Sequence, residues 1–211
     1  MASLPRVIRV VVKFEKRLPG IGPKSATRLA FYLLSASESF CKELTDSISN
    51  FKKSIKVCSE CFSVAENELC EICMDKKRNK RQICVVEKAI DVIAIEKMGL
   101  YKGVYHVLGG VINPLEHIRP EDLRISELLE RIQKLISNFF LQKRTKEFLI
   151  SKKDRTKKRK TKGEIEIIIA TSLTMEGEAT ALYIKNRIGK LDMGDEKIRV
   201  TRIGAGLPMG A

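Results

Sequence analysis

The chain of 211 residues has only two histidines, His106 and His117, and no motif gives either of them a serine, cysteine or aspartate partner. This scarcity argues against an enzyme that relies on a histidine-activated nucleophile. His106 lies in an apolar segment, where a lone histidine is more often a satisfied core residue. The chain also lacks an apolar run long enough to span a bilayer, and its first residues do not have a signal-peptide pattern. We therefore expect a cytoplasmic protein with reduced thiols.

Acidic residues are also in short supply, since 26 Asp and Glu face 40 Lys and Arg, which leaves a formal net charge of +14. Such a surplus predicts a polyanionic partner, with nucleic acid favoured over an anionic membrane. The hydrophobic fraction of 44% excludes a disordered composition and allows one sizeable core with small modules. Residues 143–162 contain eleven Lys or Arg and two Asp or Glu, a balance of +9, so the rest of the chain carries +5.

Four of the six cysteines form two CxxC pairs within sixteen residues, Cys58/Cys61 and Cys70/Cys73. Two such pairs supply the four thiolates of a tetrahedral structural zinc site, and the metal would order the short polar loop between them. Disulfides fit less well because the expected compartment is reducing. A redox CxxC usually occurs singly, whereas this chain has two such pairs close together. The cysteine spacing also differs from the usual spacings of iron–sulfur clusters. Of the other cysteines, Cys84 lies in an apolar run and Cys41 is isolated, so we expect both to be small core residues.

The segment LPGIGPKSATRLA, residues 18–30, predicts two helices joined by a tight turn. Gly20 and Gly22 permit the turn, and Pro23 suits the first position of the second helix. Free backbone N–H groups beside Lys24 and Arg28 would form a cationic cup for a phosphate. This pattern is similar to the helix–hairpin–helix motif, which grips the DNA backbone without reading bases; the alternative is a plain turn between two helices. We expect flanking helices at 7–16 and 38–51.

Residues 76–81, KKRNKR, form a second basic run, which is either a solvated face or another phosphate contact. From residue 82 onwards, strands and helices alternate, which predicts a mostly parallel sheet covered by helices. We expect strands at 83–86, 104–108, 165–170 and 198–203, and helices at 88–98, 124–139 and 177–188.

Acidic residues follow two of these strands, Glu87 after the first and Glu176 with Glu178 after the third. Functional groups belong at the carboxyl ends of parallel strands, and carboxylates suit magnesium. The layout is similar to a Toprim domain, the magnesium-binding module of topoisomerases and primases. The alternative for Glu176 and Glu178 is structural, because Thr174 can cap the following helix and acids in a first turn favour its dipole.

The order of these modules resembles the RecR family of bacterial recombination mediators. The matching strings are LPGIGPKSATRLAFYLL, CSEC and CEIC, ICVVE, NPLEHIRPEDLRISELLERI, TMEGEATALYI and VTRIGAGLPMG, in colinear order. The resemblance implies an α/β fold with small modules: a helix–hairpin–helix region at 1–54, a four-cysteine zinc finger at 55–76 and a Toprim-like domain at 80–192. A segment at 193–211 then ends the chain.

The resemblance also implies a non-enzymatic DNA-binding protein that acts with RecO-like and RecF-like partners to load recombinase onto single-stranded DNA. It would form a dimer or tetramer, work in the bacterial cytoplasm at the nucleoid and bind single-stranded and gapped or double-stranded DNA. Gly20, Gly22, Lys24 and Arg28 would lie at the DNA contact. The cysteine quartet would hold one structural zinc, while Glu87, Glu176 and Glu178 would be Toprim acids used in partner binding, where magnesium could bind but would not be catalytic.

Three departures from the family pattern accompany this resemblance. A basic insertion occupies 142–162, where we expect an exposed loop or an added DNA contact. His117 stands where the family has a glycine, and the acidic tail used in subunit packing is missing after GLPMG, so the C-terminal segment is expected to be shortened. Two rival functions remain open at this point: a magnesium-dependent Toprim nuclease or primase-like enzyme, and a protein-docking module centred on the zinc knuckles.

Overall fold

The computed structural model describes residues 5–15, 17–149, 164–191 and 198–204. The chain divides into two compact units, Met1–Ile55 and Lys56–Ala211, and each is described by itself.

The first unit consists of three helices, α1 (Arg6–Glu15), α2 (Pro23–Ser35) and α3 (Glu38–Ser54). Helices α1 and α2 pack through Val12, Ala26 and Ala30, which are small or β-branched side chains that let the two helix backbones approach closely. The predicted tight turn joins them: Gly20 has φ of +80°, and the Ile21 N–H donates to the Leu18 carbonyl at 3.2 Å.

Helix α3 begins at an N-cap, because the Ser37 hydroxyl accepts from the Phe40 N–H at 3.2 Å. One face of this helix carries an apolar row, Phe40, Leu44, Ile48 and Phe51, whose residues are 39% to 65% exposed. Cys41 is only half-buried, with its thiol donating to the Leu33 carbonyl, so its prediction as a core residue was only partly right.

The second unit is built on a four-stranded sheet in which all neighbouring strands are parallel, in the order β4-β3-β5-β6. The strands are β3 (Asn79–Val86), β4 (Gly103–Val107), β5 (Ile165–Ala170) and β6 (Ile198–Arg202). The connecting helices are α5 (Ala89–Glu96), α6 (Ile125–Leu149) and α7 (Met175–Ile188). A small cysteine-containing module precedes the sheet, with the antiparallel pair β1 (Lys56–Val57) and β2 (Val64–Ala65) and the short helix α4 (Glu71–Met74).

Alternating side chains of β3 serve the two faces of the sheet, as the period of two in a strand requires. Ile83 and Val85 join the larger core cluster, which α6 and α7 cover. Cys84 and Val86 join a second cluster, which contains Val92 of α5 together with residues of the cysteine module. Both faces of β3 are therefore buried over residues 83–86, which explains the continuous apolar sequence there.

Two element boundaries differ from the sequence prediction by four residues or more. Strand β3 begins at Asn79, four residues before the predicted 83, because backbone pairing with β4 extends into the polar part of the segment. Helix α6 continues to Leu149, ten residues beyond the predicted 139, since this stretch has no Gly or Pro and contains good helix formers. The predicted basic insertion at 142–162 therefore begins inside a helix, and its residues 150–162 lie outside the described residues.

Candidate metal centre and nucleic-acid interface

The four cysteines of the two CxxC pairs converge on one point. The sulfurs of Cys58, Cys61, Cys70 and Cys73 all lie within 4.8 Å of one another, and all four residues are buried. Within the described ranges, no other set of three or more His, Cys, Asp or Glu ligands is gathered in this way. The Sγ atoms of Cys61 and Cys70 are 3.5 Å apart, far longer than a disulfide bond of about 2.05 Å. The cysteines are therefore free thiols, as the redox compartment predicts.

Each CxxC pair is shaped by its own backbone hydrogen bonds. At the first pair, the Phe62 N–H donates to the Cys58 carbonyl at 3.0 Å, and Phe62 adopts a left-handed φ of 61°. At the second pair, Cys70 stands at the N-cap of α4, and its own N–H donates to the Cys58 sulfur at 3.3 Å. A donor of this kind stabilises a sulfur that carries negative charge. This single N–H therefore offsets part of the negative charge on one of the four sulfurs.

The donor set fits one structural zinc. Four sulfur ligands with no open position are typical of closed, non-catalytic zinc sites. Hydrogen bonding to Cys70 raises the pKa of Cys61 to about 12, hydrogen bonding to Cys61 raises the pKa of Cys73, and the bond from Cys61 lowers the pKa of Cys70, so the metal-free quartet favours one thiolate among thiol donors. Four crowded thiolates are therefore unfavourable alone, and a divalent cation at their centre removes that penalty.

The cysteine module is fastened to the edge of the sheet. The Val107 N–H of β4 donates to the Cys61 carbonyl at 2.8 Å. Arg131 of α6, whose side chain is 10% exposed, donates to the Tyr105 carbonyl of β4 at 2.6 Å and to the Glu60 carboxylate at 2.9 Å. The first CxxC pair is thus joined to the edge strand β4 through Cys61 and to helix α6 through Glu60. Sequence reasoning did not identify Arg131 or Glu60, because 71 positions separate them.

Phe62 forms a second link between the module and the sheet. Its ring meets the His106 ring edge to face, with 5.3 Å between centroids, and the Arg124 guanidinium lies 5.2 Å from its centroid. His106 is fully buried, and its Nε2 donates to the Arg124 carbonyl at 2.7 Å. Burial lowers the pKa of His106 to about 4, so the ring is neutral. Its Nδ1 has no hydrogen-bond partner within the described ranges. The prediction of a core residue is therefore confirmed, but only one of the two ring nitrogens is hydrogen-bonded.

The predicted acidic residues lie at the carboxyl end of the sheet. Glu87 accepts a hydrogen bond from the Ser172 N–H, which fixes the loop after β5 against the end of β3. Glu176 and Glu178 are in the first turn of α7, and the Thr174 hydroxyl caps that helix by accepting from the Gly177 N–H at 3.2 Å. The structural alternative for these two acids is therefore realised, since they face the positive end of the helix dipole.

Gly177 has a steric role between the two glutamates. A Cβ at this position would lie 2.2 Å from the Ser172 carbonyl oxygen, so only glycine allows α7 to begin this close to the loop.

An arginine occupies the same edge of the sheet. The Nη2 atom of Arg202, at the end of β6, donates to the Ser172 carbonyl at 2.9 Å and lies 2.7 Å from the Glu178 carboxylate. Arg202 was not predicted, because the sequence offers only a cationic residue between Thr201 and Ile203 at the end of a strand. Its Nε and Nη1 atoms are buried without a partner among the described residues.

These acids do not fit a magnesium site in the described structure. Their carboxylate oxygens are not gathered within the 4.8 Å that joins the cysteine sulfurs. Glu87 and Glu178 instead hold a backbone N–H and a guanidinium, respectively. At this end of the sheet the Arg202 guanidinium pairs with Glu178, whereas a magnesium site would need several carboxylate oxygens gathered and free to bind the ion.

The predicted DNA-contact residues stand together at the start of α2. Lys24 and Arg28 are exposed and four residues apart, so they share one face of the helix. Gly22 is the N-cap, no side chain caps the helix, and space around Gly20 and Gly22 is open within 4 Å of an added Cβ. The first N–H groups of α2 are thus available to an anion beside two cationic side chains.

Among the described helices, none has both the length and the apolar content needed to cross a membrane.

Three protein-family models match successive regions of the chain. A Toprim domain family model matches residues 81–204, the RecR helix-hairpin-helix model matches 15–52, and the RecR four-cysteine zinc finger model matches 55–75. The recombination protein RecR of Herpetosiphon aurantiacus is 40% identical over 98% of this chain and 86% of its own length. The RecR proteins of Dehalococcoides mccartyi strain BAV1 and Syntrophobacter fumaroxidans are 42% and 39% identical, each over 99% of this chain and 88% of their own length.

Proposed function

Because the chain belongs to the RecR family of recombination proteins, non-catalytic mediators of DNA repair and recombination, we propose that its first unit grips the DNA backbone through the turn between α1 and α2. The observation that carries this proposal is the pairing of Lys24 and Arg28 with the uncapped amino terminus of α2. Backbone amides and cationic side chains there can bind one phosphate without reading a base. The expected binding is therefore independent of sequence and sensitive to salt.

The test replaces both cationic side chains, in the variant Lys24→Ala/Arg28→Ala. We expect affinity for a gapped duplex to fall by about tenfold or more at physiological salt, and the slope of log affinity against log salt to fall by about 2. Lys42→Ala/Lys53→Ala is the matched control, since both lysines are exposed on α3 of the same unit. Equal affinity of the Lys24/Arg28 variant and the parent would contradict the proposal.

The cysteine quartet serves this function as a structural element. We infer that Cys58, Cys61, Cys70 and Cys73 hold one zinc, which shapes the module and anchors it to β4 through the Cys61 carbonyl. The metal would supply cohesion and no catalytic chemistry, because four sulfur ligands leave no position for a water or substrate.

The acidic edge of the sheet is the proposed partner surface for RecO-like or RecF-like proteins. Glu176 and Glu178 lie in the first turn of α7, and Leu173 and Met175 beside them are 61% and 86% exposed. Carboxylates interspersed with exposed apolar side chains are suited to a basic protein surface with an apolar anchor. Charge reversal in Glu176→Lys should reduce retention of a RecO-like partner by about tenfold and leave DNA affinity intact. Loss of DNA affinity together with unchanged partner retention would overturn this assignment.

Self-association is the remaining part of the proposal. The exposed row of Phe40, Leu44, Ile48 and Phe51 on α3 supports it, since a row of large apolar side chains favours burial against another surface. Light scattering with and without a gapped duplex measures the result. A dimer or tetramer would support the proposal, and a stable monomer under both conditions would reject it.

A further inference from the structure

The basic run at residues 76–81 lies at the end of the sheet where the parallel strands begin. The acidic residues Glu87, Glu176 and Glu178 lie at the opposite end, where the strands finish. The structure divides this run into two groups. Lys76, Lys77 and Lys80 are exposed, whereas the side chain of Arg78 is only 16% exposed. The run is thus not a uniform solvated face.

Arg78 is used within the fold. Its Nη1 donates to Glu96 of α5 at 2.9 Å and to the Tyr101 and Gly103 carbonyls at 3.2 and 3.3 Å. Its Nε also lies 3.8 Å from the Asp75 carboxylate. The Arg78 guanidinium therefore offsets part of the negative charge of the two acids next to the run, which weakens their attraction for the neighbouring lysines.

Two further lysines join the exposed group. Lys97 directly follows Glu96, the partner of Arg78, and Lys102 precedes β4. The Asn79 N–H donates to the Lys102 carbonyl at 2.8 Å, which places the starts of β3 and β4 side by side. We name this group the lysine edge, and its members are Lys76, Lys77, Lys80, Lys97 and Lys102.

The lysine edge has little opposing charge. None of its five side chains forms an ion pair with an acid of the described ranges. At the neighbouring start of β5, Glu166 accepts from the Gln82 side chain at 2.7 Å, and Glu164 is exposed. Five ammonium groups and the Arg78 guanidinium thus stand against the carboxylates of Asp75, Glu96 and Glu164, so this end of the sheet keeps a net positive charge.

We propose that the lysine edge is a second contact surface for the phosphate backbone of duplex DNA, an inference that rests on the proposed DNA-binding function. Release of counterions from the duplex would drive the contact. Tyr101, directly before Lys102, does not offer a free ring for base stacking: its hydroxyl lies 3.1 Å from both the Gln82 and the Val104 carbonyl, and its ring packs against Tyr105. Single-stranded DNA binding usually uses such rings, so a duplex is the ligand that this chemistry favours.

The test uses two full-length variants with the same change in charge. Lys76→Gln/Lys80→Gln/Lys97→Gln neutralises the lysine edge, and Lys134→Gln/Lys185→Gln/Lys190→Gln neutralises exposed lysines on the helical side of the same unit. Fluorescence anisotropy with a blunt duplex, at several salt concentrations, measures affinity. We expect the edge variant to bind about tenfold more weakly, with a salt slope lower by about 2 to 3, and the control to change by about twofold at most.

A third variant, Lys76→Arg/Lys80→Arg/Lys97→Arg, keeps the charge and should bind like the parent, which excludes a folding defect as the cause. Equal weakening of the two glutamine variants, or parental affinity of the edge variant, would overturn the inference. Loss of binding to phosphatidylglycerol vesicles with unchanged duplex affinity would also overturn it, in favour of a membrane surface. The Lys24→Ala/Arg28→Ala variant in the same assay separates the two proposals: if it alone weakens binding, the lysine edge fails and the proposed function stands.

Discussion

Arg202 and Glu178 form an ion pair across the carboxyl end of the sheet, with 2.7 Å between the guanidinium Nη2 and the carboxylate. The pair joins the last described strand to the first turn of α7, and the same guanidinium nitrogen holds the Ser172 carbonyl. A cation supplied by the chain thus occupies the edge at which a Toprim enzyme would bind its metal. This arrangement accords with the non-catalytic character of the family and leads to the first prediction.

Magnesium should not stabilise this protein specifically. We expect millimolar MgCl2 to shift the thermal midpoint no more than NaCl of equal ionic strength, because Glu178 is paired and the acidic oxygens are not gathered. Differential scanning fluorimetry measures the midpoint. A saturable rise with magnesium that disappears in Glu178→Gln would contradict this expectation.

Removal of the thiol ligands should loosen the edge of the sheet as well as the cysteine module. In Cys70→Ser we expect loss of the metal, a cost of more than about 3 kcal/mol, and faster hydrogen exchange at the Val107 amide, which donates to the Cys61 carbonyl. Exchange at central β3 positions should change less. Cys41→Ser is the matched control, since Cys41 lies outside the quartet, and it should keep one zinc per chain. If the Val107 amide exchanged at the parental rate after metal loss, the order of the sheet edge would not depend on the cysteine module.

The ion pair between Arg131 and Glu60 should be worth more than a surface pair. Glu60→Gln leaves a nearly buried guanidinium without its carboxylate, and we expect a loss of about 1 to 3 kcal/mol in urea unfolding. The control is Glu127→Gln, which breaks the pair with Arg124, whose side chain is 55% exposed. That change should cost about 0 to 1 kcal/mol. Equal costs for the two variants would show that Arg131 does not depend on the module.

Acid should selectively weaken the contact between Arg78 and Glu96. The hydrogen bond from Arg78 lowers the pKa of Glu96, and the Tyr105 hydroxyl, which donates at 2.6 Å, acts in the same direction. Because the folded pKa lies below the unfolded value of about 4.3, the carboxylate stabilises the fold fully at pH values above that value. The stabilisation is lost as the pH falls through the folded pKa.

The free energies of unfolding of the parent and Glu96→Gln, measured from pH 3 to 7, test this linkage. We expect the gap between them to be largest near neutral pH and to shrink on acidification. A gap that is independent of pH would mean that protonation of Glu96 is not linked to folding.

Local patterns made much of this protein predictable. The CxxC spacing predicted the cysteine cluster, because two residues between ligands form one turn of chain, and the Gly-rich turn predicted the start of α2 at Pro23. Alternation of apolar strands with amphipathic helices predicted the parallel sheet. Each of these signals resides within a few consecutive residues.

The missing features depend on long-range packing. Arg202 meets Glu178 only when β6 lies beside β5, and Arg131 meets Glu60 only when α6 covers the sheet. The early start of β3 was hidden by its charged residues, and the inward direction of Arg78 could not be read from a run of six mostly basic positions. A sequence pattern gives residue types, but tertiary contacts decide which charges are used inside the fold.

The hydrogen bonds on β4 limit how the sheet can grow. Strand β4 is one edge of the sheet, and three of its backbone groups already have partners outside the ladder: the Gly103 carbonyl binds Arg78, the Tyr105 carbonyl binds Arg131, and the Val107 N–H binds Cys61. Within the four-stranded sheet, as far as the structure describes it, β6 is then the strand whose edge is open for pairing with another chain. A sheet with one open edge can join one other copy and then closes, whereas a sheet with two open edges can add copies without limit. By holding the cysteine module against β4, a metal ion would thus favour finite assemblies over fibres.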